Sequence, residues 1–377
     1  MAVFEIIATY KNTVMFYAMM IAIISGTAFL SYRRDRLGRY VWRKHWFRIS
    51  FVIAVLFLGL ASCGADYTSY ERIFNSSIDP SYWSETRMEI GFLVFNIICK
   101  LIFQEYWIYH IIWAIVMLSL IYSTISKYRR IIHPGFSILA YSCIFMIQSL
   151  DLMRINLAIA IVFFGIRYLI EKKYLKYIVT IFVAFLFHKS ALCMYIPLFV
   201  ILLFKNRTRY IIKSIVLIGG SLIIIAIRDF LFNGKFLGYQ YLSVDGSIGL
   251  AAFVYPAPII LTLLFVRNRN RKLLYDGFAN SLITIFISSI AIHFISYFVN
   301  VFGRLMFYFT YQYMVLPYYL VSKTFENGTI GTKEYNLDRK LWMVMFVFYF
   351  IFRAIMMCEF LETDGLEHYT NILGFMV

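Results

Sequence analysis

The chain has 377 residues, of which 62% are hydrophobic and only 15% are charged, and its mean hydropathy is +0.74. A soluble domain of this length would carry more polar surface, so the composition excludes that class. Apolar runs suited to a hydrocarbon core roughly 30 Å thick recur along the chain, without the period-two alternation of a membrane barrel. We therefore expect an all-α, polytopic integral membrane protein that forms a single domain over residues 1–377.

The formal net charge of +16 comes mainly from Lys and Arg in short loops between the apolar runs. The positive-inside rule places such loops in the cytoplasm. Most acidic residues fall in the complementary loops, which include two long external loops at about 64–106 and 228–249. The basic residues thus orient the protein in its membrane, and no nucleic-acid partner is expected.

In chain order the apolar runs predict about 12 transmembrane helices with both termini outside. The first is a retained helix and not a signal peptide. The run at 89–103 is short and contains Lys100, so we expect an interfacial or re-entrant helix there. The run at 177–204 is too long for one ordinary span. It predicts two spans that meet at residues 188–190, with one tilted span as the alternative. The predicted spans are 14–30, 49–63, 107–126, 138–148, 154–170, 177–188, the rest of that long run up to residue 204, 211–227, 250–266, 279–299, 304–321 and 341–357.

Residues 148–193 contain two apolar segments joined by a basic hinge, with ionisable side chains at their outer ends. Asp151 and Arg154 begin the first segment, which Gln148 precedes, and His188 and Lys189 end the second. If the hinge is cytoplasmic, both clusters return to the same outer surface. A charge at the edge of a bilayer usually faces protein or a water-filled cavity, so the two clusters indicate a shared site.

Three arginines are predicted at or near the external helix ends: Arg154, Arg228 and Arg304. A guanidinium keeps its charge and donates two parallel hydrogen bonds, which suits a phosphate, and two arginines could hold a diphosphate. The alternatives are interfacial side chains or salt bridges, with Asp151 and Arg154 at i, i+3 as a local pair.

His188 has the pKa range to accept a proton near neutrality, and Lys189 adds a charge for phosphate. A histidine that only ties two helices together is the structural alternative. Asp66 and Glu89 could bind sugar hydroxyls or orient a base, and helix capping is the alternative for Glu89. The five cysteines are scattered singly, with no metal-ligand spacing, so we expect no metal site.

Six short motifs, in this order, give the sequence a resemblance to the EpsG-like branch of the Wzy polysaccharide polymerases. They are GADYTSY with Asp66, EIGF with Glu89, DLMRINLAIAI with Arg154, FHKSAL with His188, GRLMFYF with Arg304, and the closing HYTNIL. In the last motif His368 stands where Pro is expected before the Tyr.

The resemblance implies a GT-C-like membrane glycosyltransferase in the bacterial cytoplasmic (inner) membrane, with its active site on the periplasmic side. Its substrates, as donor and acceptor, would be undecaprenyl-diphosphate-linked oligosaccharides of O-antigen, lipopolysaccharide or exopolysaccharide biosynthesis. No cofactor or metal is expected, whereas membrane lipid and a chain-length regulator protein are candidate partners. A lipid-linked oligosaccharide flippase or transporter, or an O-antigen ligase, is the alternative.

The resemblance also assigns roles to the candidate residues. Arg154 and Arg304 would bind the donor diphosphate, assisted by Lys189 and Arg228. His188 would be the base for the acceptor hydroxyl or a further phosphate ligand, with Asp66 and Glu89 as the other candidate bases. Asp151 and Gln148 would support the site.

Overall fold

The computed structural model describes residues 2–34, 40–85, 88–204, 210–226, 254–298, 301–326 and 333–377. These residues are predominantly helical, which confirms the all-α prediction. A short antiparallel ribbon, β1 (Tyr32–Arg34) and β2 (Tyr40–Trp42), lies in the first basic loop. The α-helices are α1 Ala2–Thr9, α2 Lys11–Leu30, α3 Lys44–Gly59, α4 Tyr67–Ser76, α5 Pro80–Glu85, α6 Ile90–Phe103, α7 Tyr106–Tyr128, α8 Pro134–Tyr141, α9 Met153–Ile170, α10 Tyr174–Phe187, α11 Tyr195–Leu203, α12 Tyr210–Ala226, α13 Ala257–Arg269, α14 Gly277–Ser296, α15 Val301–Thr310, α16 Leu316–Glu326 and α17 Lys333–Met357.

Within the described ranges, five helices are long and apolar enough to cross a membrane. They are Lys11–Leu30, Tyr106–Tyr128, Met153–Ile170, Gly277–Ser296 and Leu337–Phe360. Other apolar segments form shorter helices, and changes to π or 3-10 helix interrupt two of them, at Ser142–Met146 and Lys189–Met194. The prediction of about 12 full-length spans is therefore not confirmed, although the apolar helices support a membrane protein.

The long apolar run after the basic hinge is broken, as the sequence predicts. Helix α10 ends at Phe187, and a 3-10 helix over Lys189–Met194 leads into α11. One continuous helix over 177–204 is thus excluded. With 14 residues, α10 is about 21 Å long at a rise of roughly 1.5 Å per residue.

The helix around Lys100 is also short, with 14 residues in α6. Ile90, Val94 and Ile98 lie exposed along one face, whereas Phe92 and Cys99 are buried. This length and one-sided burial agree with the predicted interfacial or re-entrant helix, whose depth in the membrane stays a prediction.

The described residues form two compact units. The first contains Met1–Phe164, Val183–Lys189 and Phe346–Val377. In it α2 packs against α3 and α8, and α7 packs against α3 and α6. The Ser50 and Tyr122 hydroxyls are 2.9 Å apart, which joins α3 to α7 with a buried hydrogen bond.

The closing HYTNIL motif pairs with the chain that follows α3 in the same unit. The Ser62 N–H donates to the Thr370 carbonyl at 2.8 Å, and the Ile372 N–H donates to the Leu60 carbonyl at 3.0 Å. The buried Tyr369 hydroxyl donates to the Phe57 carbonyl at 2.9 Å. These bonds satisfy backbone groups in the last turn of α3 and in the chain after it, and they fix the path of the chain toward the GADYTSY motif.

The second unit contains Gly165–Phe182 and Ser190–Met345. Helix α14 is buried over most of its length and packs against α11, α12 and α15, while α13 packs against α16. Asp276 begins α14, since its carboxylate accepts hydrogen bonds from the Phe278 and Ala279 N–H groups. A helix apolar on all sides belongs in the interior, which explains its central position.

The contact of α8 with α2 depends on a glycine. A Cβ at Gly135 would lie 2.5 Å from Phe29 Cγ and 2.6 Å from Phe29 Cα, too close for any side chain. We expect Gly135→Ala to lower the free energy of unfolding by about 1–3 kcal/mol, as overpacking does. Gly26→Ala on α2 is the matched control, because nothing lies within 4 Å of its Cβ position. Thermal unfolding of the purified protein in detergent measures both, and equal midpoints would contradict the close packing.

Candidate active site

A buried ion pair joins the start of α9 to the residue before α6. Arg154 Nη1 donates to Glu89 Oε2 at 2.7 Å, and only 24% and 9% of the two side chains are exposed. Arg154 thus pairs with Glu89, 65 positions away in sequence, and the i, i+3 pair with Asp151 is wrong. The pair brings together two of the sequence-predicted site residues.

Glu89 also binds the break between α10 and α11. Its Oε1 accepts a hydrogen bond from the Lys189 N–H at 3.3 Å. Glu89 occupies the N-cap position of α6 but its side chain makes no capping bond, so the capping alternative is wrong. The carboxylate instead connects α9 to the chain at His188–Lys189.

A glycine allows this approach. A Cβ at Gly91 would lie 2.7 Å from Leu186 Cβ and 2.8 Å from the Leu186 carbonyl oxygen. The start of α6 therefore lies directly against the end of α10. The glycine of EIGF sets the spacing at which Glu89 meets Lys189.

Two aromatic rings surround the arginine. The Arg154 guanidinium carbon lies 6.0 Å from the centre of the Tyr70 ring and 5.8 Å from that of Phe92. Burial raises the pKa of the Tyr70 hydroxyl, and the charge and hydrogen bond of Arg154 oppose that rise only in part. Arg154 Nε is buried and has no hydrogen-bond partner among the described residues. The site thus holds a cation with an unused donor beside a protonated phenol.

Asp66 and Asp151 meet at a second point of the first unit. The Asp66 N–H donates to Asp151 Oδ1 at 2.8 Å. Gly64 makes this possible with a φ of +107°, and a Cβ there would lie 2.9 Å from the Leu150 carbonyl oxygen. Burial, with a smaller contribution from the Asp66 charge, raises the pKa of Asp151 to about 6, while the Asp66 N–H lowers it.

The remaining predicted residues occupy different places. The His188 N–H donates to the Ala184 carbonyl at 2.9 Å, and its side chain is half-buried next to the exposed Lys189. Gln148 is buried in a 3-10 turn, where its carbonyl accepts the Leu152 N–H at 3.0 Å. Arg304 is an exposed residue of α15 in the second unit. Arg228 lies outside the described residues.

Sequence reasoning missed the aromatic surround of Arg154. Tyr70 lies four residues after Asp66 in GADYTSY, and Phe92 follows Glu89 by three in EIGF. Because residues three or four apart share a helix face, each motif places its aromatic ring on the same face as its acidic residue. That spacing was the available signal. In the described part of the chain, no cluster of His, Cys, Asp and Glu side chains is suited to a metal ion.

The pKa of Asp151 predicts a pH-dependent stability. The folded-state pKa of about 6 exceeds the ordinary 3.8, so the folded protein binds more protons than the unfolded chain between these values. Stability therefore falls as the pH rises through this window and is constant above it. We expect the melting temperature of the wild type, relative to Asp151→Asn, to fall from about pH 4 to pH 6.

The exposed Asp79 supplies the control, because hydrogen bonds from Ser81 lower the pKa of its carboxyl instead. The difference between the wild type and Asp79→Asn should stay flat over the same pH range. A flat difference for Asp151→Asn as well would contradict the burial of its carboxyl in the folded state.

Comparison with known proteins adds one finding. The profile of the EpsG family matches residues 44–371, which include Asp66, Glu89, Arg154, His188 and Arg304. No curated protein and no solved structure matches the chain. The match covers most of the chain and both compact units, and it agrees with the helical, apolar character of the fold. The chain belongs to the EpsG family, a family of polysaccharide polymerase-type membrane proteins.

Proposed function

We propose that this protein is a Wzy-type membrane glycosyltransferase that joins oligosaccharide units carried on undecaprenyl diphosphate. The observation that carries the proposal is the convergence of Glu89, Arg154 and the helix break at His188–Lys189 on one ion pair. We further propose a GT-C-like fold, a location in the inner membrane and an active site on its periplasmic side. The family and the charge pattern of the loops support these assignments.

In the proposed reaction the anomeric carbon–oxygen bond of the donor breaks, and undecaprenyl diphosphate leaves with the bonding electron pair. The acceptor hydroxyl oxygen forms the new bond to that carbon, and its proton passes to a base on the protein. No nucleotide sugar is needed, because the diphosphate is itself the leaving group.

Arg154 would stabilise the leaving diphosphate. Glu89 accepts from Nη1 only, and 24% of the Arg154 side chain is exposed, so the guanidinium keeps donors for phosphate oxygens. A fixed cation beside the charge that develops in the transition state lowers the barrier without reorganisation. Lys189, whose backbone N–H donates to Glu89, is exposed, and its side-chain ammonium would add a second positive charge.

His188 would be the base. Glu89 is already engaged by Arg154 and by the Lys189 N–H, which makes it a positioning residue for the arginine. His188 directly precedes Lys189 in the chain and so adjoins that contact, and an imidazole nitrogen can accept the proton of the acceptor hydroxyl. Asp66 remains the second candidate base, held near Asp151 by its backbone N–H.

Arg304 and Arg228 are further candidates for the diphosphate. Arg304 is exposed, and no partner among the described residues occupies its guanidinium. Both assignments come from the family resemblance and the chemistry of arginine.

We expect Arg154→Ala and Arg304→Ala to abolish polymer while the protein stays in the membrane. Arg154→Lys keeps a cation for Glu89 but loses the planar fork, so it should retain only part of the activity. Arg72→Ala, which removes an exposed arginine of the first unit, is the control and should leave polymer unchanged. Polymer length on gels, normalised to membrane protein by immunoblot, provides the readout. Wild-type polymer in both alanine variants would falsify the diphosphate assignment.

The glycan ladder of a gene deletion complemented with wild type or His188→Ala separates the alternatives. A polymerase deficient in His188 should reduce the ladder to a single repeat unit. A flippase would instead leave no external glycan and would trap lipid-linked units inside. A ligase would leave long chains on the carrier lipid, so each alternative predicts a different product.

A further inference from the structure

The second unit contains a cavity that the proposed polymerase site does not use. Its volume is about 480 Å³, and residues of α12, α13 and α14 and of the 3-10 helix over Arg271–Tyr275 line it. The apolar part of its wall includes Ile260, Leu263, Leu264, Phe286 and Ile287.

The polar part of the same wall is cationic. Arg267 and Arg271 line the cavity together with Tyr210, Ser214 and Tyr275. Both arginines are exposed, and neither has a hydrogen-bond or ion-pair partner among the described residues. None of the described residues that line the cavity is a carboxylate. The nearby Asp276 carboxylate is occupied, since it caps α14 and accepts the Tyr319 hydroxyl at 2.8 Å.

A buried lysine next to the wall strengthens the positive charge. Lys213 is fully buried, and its ammonium donates to Asn280 Oδ1 and Thr284 Oγ1, each at 3.2 Å. The ammonium also lies 5.3 Å from the centre of the Tyr210 ring, which lines the cavity. Among the described residues no carboxylate pairs with Lys213. A charge buried without a counterion is costly, and an anion bound nearby would reduce that cost.

We propose that this cavity binds one anionic phospholipid of the membrane. Its phosphate would lie against Arg267 and Arg271, and one acyl chain would lie along the apolar wall. A soluble anion would leave the apolar wall in water, whereas an uncharged lipid would leave both arginines without a partner. Leu261 and Leu264 are exposed on α13, so the cavity borders a surface suited to lipid.

The location agrees with the charge pattern of the chain. Arg267, in the last turn of α13, and Arg271 belong to a basic segment that the sequence places on the cytoplasmic side, where anionic lipids attract juxtamembrane cations. Lipid held here would connect α12, α13 and α14 of the second unit.

The test measures lipid binding to the full-length purified protein by native mass spectrometry and by melting temperature. We expect phosphatidylglycerol to remain bound and to raise the melting temperature, because it binds the folded state. Phosphatidylcholine of the same acyl chains should be retained at least tenfold less.

The variant Arg267→Ala/Arg271→Ala should retain at least tenfold less phosphatidylglycerol than the wild type. Its matched control is Arg269→Ala/Lys272→Ala, which removes the same charge from the same segment but from residues that do not line the cavity. Ile287→Phe should also reduce retention, since it fills the apolar wall without changing the charge.

Three outcomes would overturn the proposal. Equal loss in both double variants would show a general charge effect of the loop. An equal rise in melting temperature with inorganic phosphate would show a site for a free anion. Displacement of phosphatidylglycerol by an equimolar polyprenyl diphosphate would make the cavity a substrate site instead.

Discussion

The ion pair between Glu89 and Arg154 is the interaction on which the site of the first unit depends. It joins three parts of the chain, because Glu89 binds both Arg154 on α9 and the N–H of Lys189 at the end of α10. A buried ion pair gives little net stability, since desolvation offsets much of the attraction. Removing one partner alone, however, leaves a buried charge and costs roughly 3–5 kcal/mol. The pair therefore orients Arg154 more than it stabilises the fold.

Close backbone approaches make that pair possible. Gly91 lets α6 reach Leu186, and Gly64 lets the chain turn around Asp151. The closing HYTNIL motif makes backbone bonds to Leu60 and Ser62 just before this turn, and the Gly64 and Ala65 N–H groups donate to the Gly365 and Asp364 carbonyls ahead of the motif. Motifs that are far apart in sequence thus contact one another in the fold. The proposed chemistry depends on side chains that these contacts position, such as Arg154.

The two units carry their polar groups in different ways. In the first, carboxylates and an arginine compensate each other inside a largely apolar environment. In the second, Arg267 and Arg271 line a largely apolar cavity, Lys213 is buried next to its wall, and none of the described lining residues is a carboxylate. A compensated cluster suits a reaction in which charge develops and disappears, whereas an uncompensated one suits permanent binding of an anion. This contrast separates the proposed catalytic site from the proposed lipid site.

The sequence by itself determined the all-α membrane class, the break near His188 and the candidate residues Asp66, Glu89 and Arg154. Composition and apolar run length are sums over many residues, so they can be read from the sequence without knowledge of the contacts between residues. Only the tertiary structure decided that Arg154 pairs with Glu89 and not with Asp151. Residues 65 positions apart show no periodic pattern in the sequence that would indicate their contact. The tertiary structure also decided the helix lengths, which depend on local breaks that hydropathy averages over. The cavity beside Lys213 was invisible for the same reason, since its wall comes from separate helices.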